Sequence, residues 1–343
     1  MPIPTPTPAD ADRLGRACWG LERPALGLSL GGGAPGDPGA SRQRWVEQAE
    51  ALGLHSIWLP EMHFERGVCP APLLELARLA PSTRRLRLGT TSLLLPLHPP
   101  DELALEIAAL DQLSEGRTLI GLGRGFQKRM LEAFRVPPAE KRDRFDEALD
   151  RMLARWSEGQ ARGDAYATCQ RPHPPLAVAA FGPKGLAQAA RRDLPYLASP
   201  VETLDQIEEN QRRHRDGLPD PLRRPLSLVM RTVFVSESGQ ELEAIRARLA
   251  SELPRRRAGL PEAVNAAIDS PLESRVVIGT PEAVIDRLAR DRARLGIDLL
   301  IVRPELAGIE RPVLERSLAW LAETVWPAVV AGTGAEAAAG ERG

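Results

Sequence analysis

Residues 84–126 read RRLRLGTTSLLLPLHPPDELALEIAALDQLSEGRTLIGLGRGF. The apolar run Leu86–Thr91 has strand composition, and Glu102–Leu113 repeats its apolar residues at helical spacing. Thr118–Leu122 is a second short strand, ending in the glycine-rich turn Gly121–Phe126. Strand, helix, strand within about 40 residues is one βαβ step, and a right-handed crossover makes its strands parallel. The same alternation extends in both directions. Upstream lie strands at Leu26–Leu30 and Ser56–Leu59, followed by helices at Arg42–Leu52 and Pro72–Leu79. Downstream, helices are expected at 127–134, 140–157, 184–192, Glu202–Arg215, Val284–Leu295 and 311–327. Between them fall strands at Ala177–Ala180, Tyr196–Ser199, Leu226–Val235 and Leu299–Val302. Strand–helix steps repeated through 343 residues suit an α/β protein closed as a (β/α)8 TIM barrel, with an open doubly wound sheet as the competing architecture.

The ends and one interior stretch break the pattern. Residues 1–24 read as a proline-rich, flexible N-terminal arm and 331–343 as a small-residue C-terminal tail, leaving 25–330 for the barrel. The stretch 237–278 is an insertion after the seventh strand, in which proline, arginine and glycine interrupt the apolar rhythm. Within it, 254–277 reads either as a lid over the barrel mouth or as surface decoration.

Composition excludes several classes of function. With 45 basic and 46 acidic side chains the net charge is -1, and no basic run offers a footprint for nucleic acid or an anionic membrane. No stretch approaches the roughly 18 unbroken apolar residues of a membrane span, and the N-terminus lacks the apolar core of a signal peptide. Cys18, Cys69 and Cys169 are odd in number and widely spaced, which fits neither a zinc site nor a disulfide framework. A cytoplasmic protein is expected.

In such barrels the reactive face lies at the C-terminal ends of the strands. Strand two ends in Glu61, Met62, His63 and Phe64; strand three in Thr90, Thr91 and Ser92, with His98 in the loop beyond. Strand four ends in Gly123, Arg124, Gly125 and Phe126, and strand five in Phe181, Gly182, Pro183, Lys184 and Gly185 at a helix start. The glycines of 121, 123 and 125 resemble part of a dinucleotide fingerprint, but the third spacing is wrong for one. Glycines let backbone N–H groups approach an anion, and a helix N-terminus favours negative charge. Arg124 and the 181–185 turn could therefore hold one phosphate, or Arg124 could be an ordinary rim ion pair. His63 beside Glu61 reads either as a general acid–base held by a carboxylate or as a structural hydrogen-bonding residue. His98 between prolines reads as a loop-fixing residue, and no histidine–carboxylate cluster has metal-ligand spacing.

The strings 48–64 (QAEALGLHSIWLPEMHF), 84–100, 109–126 and 278–302 (IGTPEAVIDRLARDRARLGIDLLIV) resemble the bacterial luciferase-like flavin-dependent monooxygenases, in order and in spacing. The resemblance covers nearly the whole chain from Leu26 to Val329. It implies an enzyme that uses reduced FMN, supplied by a separate flavin reductase, and O2 as co-substrate to oxygenate a small organic substrate through a flavin hydroperoxide. It implies Arg124, Gly125 and Phe126 as one phosphate-contacting turn and Phe181, Gly182, Lys184 and Gly185 as the second. Hydroxyl side chains common there in the family are absent here, so backbone N–H groups and Lys184 would stand in. Thr91–Ser92 occupies the place of the family's non-prolyl cis peptide beneath the flavin ring. His63, with Glu61, matches the second of two adjacent histidines in true luciferases; the first is replaced by Met62, which speaks against light emission and assigns Met62 to the substrate pocket wall. The resemblance further implies a homodimer through the helices near 72–80 and 102–113. Its alternatives are a deazaflavin-dependent hydride-transfer enzyme and a non-catalytic flavin-binding or silent subunit.

Overall fold

Short runs of leucine, isoleucine, valine and alanine, each bounded by turn residues, form nine parallel strands: β1 (Ala25–Ser29), β2 (Ser56–Leu59), β3 (Arg87–Leu94), β4 (Thr118–Gly123), β5 (Leu176–Ala179), β6 (Tyr196–Ala198), β7 (Leu228–Val235), β8 (Val276–Gly279) and β9 (Leu299–Arg303). The computed structural model describes residues 15–31, 38–65, 67–220, 222–252, 262–303 and 308–332. β1 to β7 pair in chain order, β7 then pairs with β9, and β9 returns to β1 in register Ala25↔Leu299. Eight strands thus close into the expected (β/α)8 TIM barrel.

β8 is the strand that the sequence did not announce. Thr232 pairs with Arg303 of β9 and with Val276 of β8, so β8 lies on the edge of β7 that β6 has already left. It lengthens the barrel wall without adding a ninth stave to the closed ring. The strand at Leu299 is therefore ninth in chain order where eight were expected.

Helices wrap the barrel: α1 (Pro38–Ala51), α2 (Pro72–Leu79), α3 (Pro100–Leu113), α4 (Lys128–Ala133), α5 (Lys141–Arg162), α6 (Pro183–Ala190), α7 (Leu204–Asp216), α8 (Gly239–Glu252), α9 (Glu262–Asp269), α10 (Pro281–Leu295) and α11 (Arg311–Trp320). Proline opens α2, α3, α6 and α10, where its missing N–H would have had no helical partner. Thr203 and Gln206 form a reciprocal capping box at α7, and Gly296 ends α10 at φ 62°. Among the described residues no helix is long and apolar enough to cross a membrane.

Two apolar layers follow from strand alternation. One lies between strands and helices; the other fills the barrel with Trp58, Leu119, Ala177, Leu197, Leu228, Met230, Leu299 and Ile301. The Trp58 ring fits because its neighbours are glycines: a Cβ on Gly89 would lie 2.4 Å from it, and one on Gly27 3.0 Å. Trp19 stacks on Trp58 at 6.4 Å between ring centroids and, with Leu21, joins the barrel interior. The expected arm therefore ends sooner than residue 24, because 15–24 closes the bottom of the barrel; residues 1–14 and 333–343 lie outside the described residues. Of the expected lid, 254–261 also lie outside them. From Glu262 onward that segment is helix and strand, with Val264, Ala267 and Ile268 buried.

Candidate active site

β2 runs out at Leu59, and the chain turns through Pro60 to place Glu61 under the barrel rim, its side chain fully buried. Three groups meet its carboxylate. His63 Nε2 lies 2.8 Å from Oε1, His98 Nε2 lies 3.0 Å from both oxygens, and the Leu94 N–H donates to Oε2 at 2.8 Å. The His63 ring packs against Phe134 at 4.8 Å and Phe64 at 5.9 Å, two phenylalanines that remain exposed. Burial opposes charge on His98, but the hydrogen bond and charge of Glu61, with Glu106 beyond, hold its pKa above the ordinary value.

β3 does not stop at Thr91. It continues to Leu94 through a cis Thr91–Ser92 peptide, where its register against β4 shifts. The Glu61 N–H donates to the Ser92 carbonyl at 3.2 Å, which ties the ends of β2 and β3 together. The Thr91 hydroxyl is buried without a protein partner. On the far side Gly123 must be glycine, since a Cβ there would meet the Ser92 hydroxyl at 2.1 Å. Gly121 has the same constraint, from the Thr90 carbonyl at 2.3 Å.

Beyond β4 the Arg124 side chain passes under α6. Its Nη2 donates to the Ala179 carbonyl at the end of β5 (3.1 Å) and its Nη1 to Gln188 Oε1 of α6 (2.7 Å). A Cβ on Gly185 would sit 2.3 Å from both terminal guanidinium nitrogens, so glycine at that position is what admits the arginine. Burial, with the like charge of Arg142 and against the pull of Asp146, lowers the Arg124 pKa to about 10. That leaves it a cation at neutral pH. Lys141, at the start of α5, donates to the Gly125 carbonyl at 3.3 Å and is also lowered by burial and by Arg124 and Arg142. Arg124, Lys141 and Arg142 thus feel one another's charge, and Gly182 caps α6 without any side-chain bond.

The predicted residues therefore fall into two groups on one rim. Glu61 and His63 stand at the end of β2 beside Thr91 and Ser92, with Met62 half-buried between them. Arg124, Gly125, Gly182 and Gly185 stand at the ends of β4 and β5, while Phe126 and Lys184 are exposed at the turns and Phe181 is half-buried. His98, read as a loop-fixing residue, ties its loop to the Glu61 carboxylate. Its sequence signal was a histidine just beyond a strand-three end, but a partner 37 positions away is invisible to local spacing. Phe134, Lys141 and Gln188 were also missed, because each reaches the rim from a helix that follows the strand. The remaining histidines bond to backbone carbonyls: His55 to Trp19, His173 to Pro174 and His214 to Leu194.

The profile of the luciferase-like monooxygenase family matches residues 26–299. The uncharacterized protein y4vJ of Sinorhizobium fredii is 26% identical over 318 residues, 83% of this chain and 90% of that protein. The oxygenase component of the flavin-dependent trigonelline monooxygenase of Acinetobacter baylyi is 28% identical over 213 residues, 57% of this chain and 59% of that protein. The crystal structure of monooxygenase RslO1 from Streptomyces bottropensis superposes with a TM-score of 0.76 at 27% identity, covering 88% of this chain and 99% of that one. The family match runs from within β1 to the first residue of β9, most of the barrel, and this chain belongs to the luciferase-like monooxygenases, a family of flavin-dependent oxidoreductases.

Proposed function

We propose that this chain is the oxygenase of a two-component system, taking reduced FMN from a separate flavin reductase and using O2 to oxygenate a small organic molecule. The observation that carries this reading is the continuity of the rim: Glu61 bonds to Ser92, Ser92 fills the space left by Gly123, and Arg124 bonds to Ala179. Four successive strand ends thus make one surface with a cation at one end and two histidines at the other.

The residues present fit FMN. Arg124, with Lys141 and the N-terminus of α6, supplies positive charge and N–H groups where a phosphate would sit. The buried Thr91 hydroxyl, without a protein partner, offers one hydrogen bond toward a ring lying over the cis peptide. Bound there in its reduced form, the flavin would supply the electrons for oxygen activation. The chain's own groups do the rest. Phe64 and Phe134 flank the His63 ring, and His63 holds or moves a proton beside the substrate. Met62 is assigned to the wall of the substrate pocket, where its unbranched thioether can adapt to shape.

We also assign the working form to a cytoplasmic homodimer. Leu74 on α2 and Leu105 and Leu113 on α3 are exposed, as an apolar interface would require.

The phosphate assignment is tested by Arg124→Ala. Loss of a charge-assisted hydrogen bond costs about 1.5–3 kcal/mol, so the Kd for reduced FMN should rise on the order of 10- to 100-fold. Unchanged affinity would remove Arg124 from the site.

A further inference from the structure

A charge taken out of water is ordinarily paired, yet among the described residues no carboxylate forms an ion pair with Arg124. Its two guanidinium bonds go to uncharged oxygens, the Ala179 carbonyl and the Gln188 side-chain amide, and the guanidinium carbon lies 5.8 Å from the centre of the Phe145 ring. Asp146 of α5 is close enough for Arg124 to feel its charge, but its oxygens are already engaged. Oδ1 accepts from Arg192 (2.6 Å), and Oδ2 from Arg191 (3.0 Å) and from Gln188 Nε2 (2.9 Å). Gln188 therefore stands between the arginine and the carboxylate, its amide oxygen toward one and its amide nitrogen toward the other.

That amide can face only one way. A guanidinium only donates, so the atom beside Arg124 must be the oxygen. The Arg142 carbonyl only accepts, so the atom 3.2 Å from it must be the nitrogen. Gln188 is 4% exposed, and a flipped amide would set donor against donor and acceptor against acceptor inside the protein. Its neighbours thus lock the side chain, and the side chain locks the guanidinium.

The consequence is electrostatic. A glutamine holds the guanidinium without cancelling its charge, whereas a carboxylate at the same place would pair with it and leave less attraction for an incoming anion. The guanidinium also keeps further N–H groups for oxygen acceptors beyond these two bonds.

We propose that Gln188 is a positioning residue for the flavin phosphate: it fixes the Arg124 guanidinium at the ends of β4 and β5 through an uncharged acceptor and holds it apart from Asp146, so that the cation stays available to a phosphate. This role rests on the reduced-FMN reading above, since the phosphate is what Arg124 is held for.

The experiment compares reduced FMN with reduced riboflavin, which has the same ring and no phosphate, in anaerobic titrations of the full chain. The wild type should prefer FMN by about tenfold or more. Gln188→Glu, which sets a carboxylate directly against Arg124, should erase most of that preference by raising the FMN Kd while the riboflavin Kd stays where it was. Gln188→Met, close in size and without an oxygen acceptor, should weaken FMN with the same selectivity by a smaller factor, and it decides the matter where Gln188→Glu folds poorly. A folded variant that keeps the wild-type preference, or that loses both flavins alike, would overturn the positioning role and leave the phosphate site standing. A wild type that binds both flavins equally, or neither, would sink the FMN reading itself and this role with it.

Discussion

At Gly185 the absence of a single methyl group makes room for a charge. A Cβ there would overlap the Arg124 guanidinium at 2.3 Å, and the arginine is held on its other sides by Gln188 and the Ala179 carbonyl. The atoms met are the far end of a flexible side chain, so the guanidinium can move aside at little cost to the fold. Gly185→Ala should therefore leave the melting temperature nearly unchanged. It should weaken reduced-FMN binding about tenfold or more by displacing Arg124, and calorimetry beside an anaerobic titration reads both. A variant that binds normally would separate the arginine from the cofactor. The sequence made Arg124 and Gly185 legible as candidates, because glycine beside a cation at a strand end is a recognisable pattern. It could not show that each residue requires the other, since 61 positions separate them and only the crossover through α5 brings them together. His98 was illegible for the same reason: its meaning depends on Glu61 across two strands.

Among the elements, β6 and α7 carry the clearest ionisation signature outside the rim. Glu202, between them, accepts from the Tyr196 hydroxyl (2.5 Å), the Ser199 N–H (2.6 Å) and the Asn210 amide (2.6 Å). Burial nevertheless pushes its pKa up to about 7 from 4.5, with those bonds and the charge of Arg231 offsetting only part of the desolvation. The folded state thus holds this proton more tightly than the unfolded chain does. Glu202's contribution is fully present below the unfolded value near 4.5 and is lost as pH rises through about 7. The magnitude should be on the order of 1–3 kcal/mol. Thermal melts at pH 5 and pH 8 should show a steeper decline in the wild type than in Glu202→Gln; equal slopes would mean the carboxyl is already ionised in the fold. Strand reading succeeded where both flanks carried turn signals, as at β2 and β4. It failed at β8, whose four residues Val276–Gly279 follow an irregular stretch and pair only with the far end of β7. It stopped short at β3, because no pattern in LGTTSLL marks a strand that continues past Thr91.

For the molecule as a whole, closure of the barrel followed from counting strand–helix steps, whereas the rim's chemistry needed three-dimensional neighbours. Assembly is the next level. Leu74 and Leu113 are 73% and 66% exposed on adjacent helices, and the proposed dimer would bury both. Sedimentation should show a wild-type dimer and a monomeric Leu74→Glu/Leu113→Glu double variant, whereas a monomeric wild type would refute the interface. The central claim, that this rim holds a reduced flavin for oxygen chemistry, is tested most directly by anaerobic titration of the purified wild-type chain with photoreduced FMN, followed by the same titration with a reduced deazaflavin. The account predicts saturable binding of reduced FMN that Arg124→Ala weakens, together with a much weaker response to the deazaflavin. Binding of the deazaflavin alone, or of neither, would contradict it.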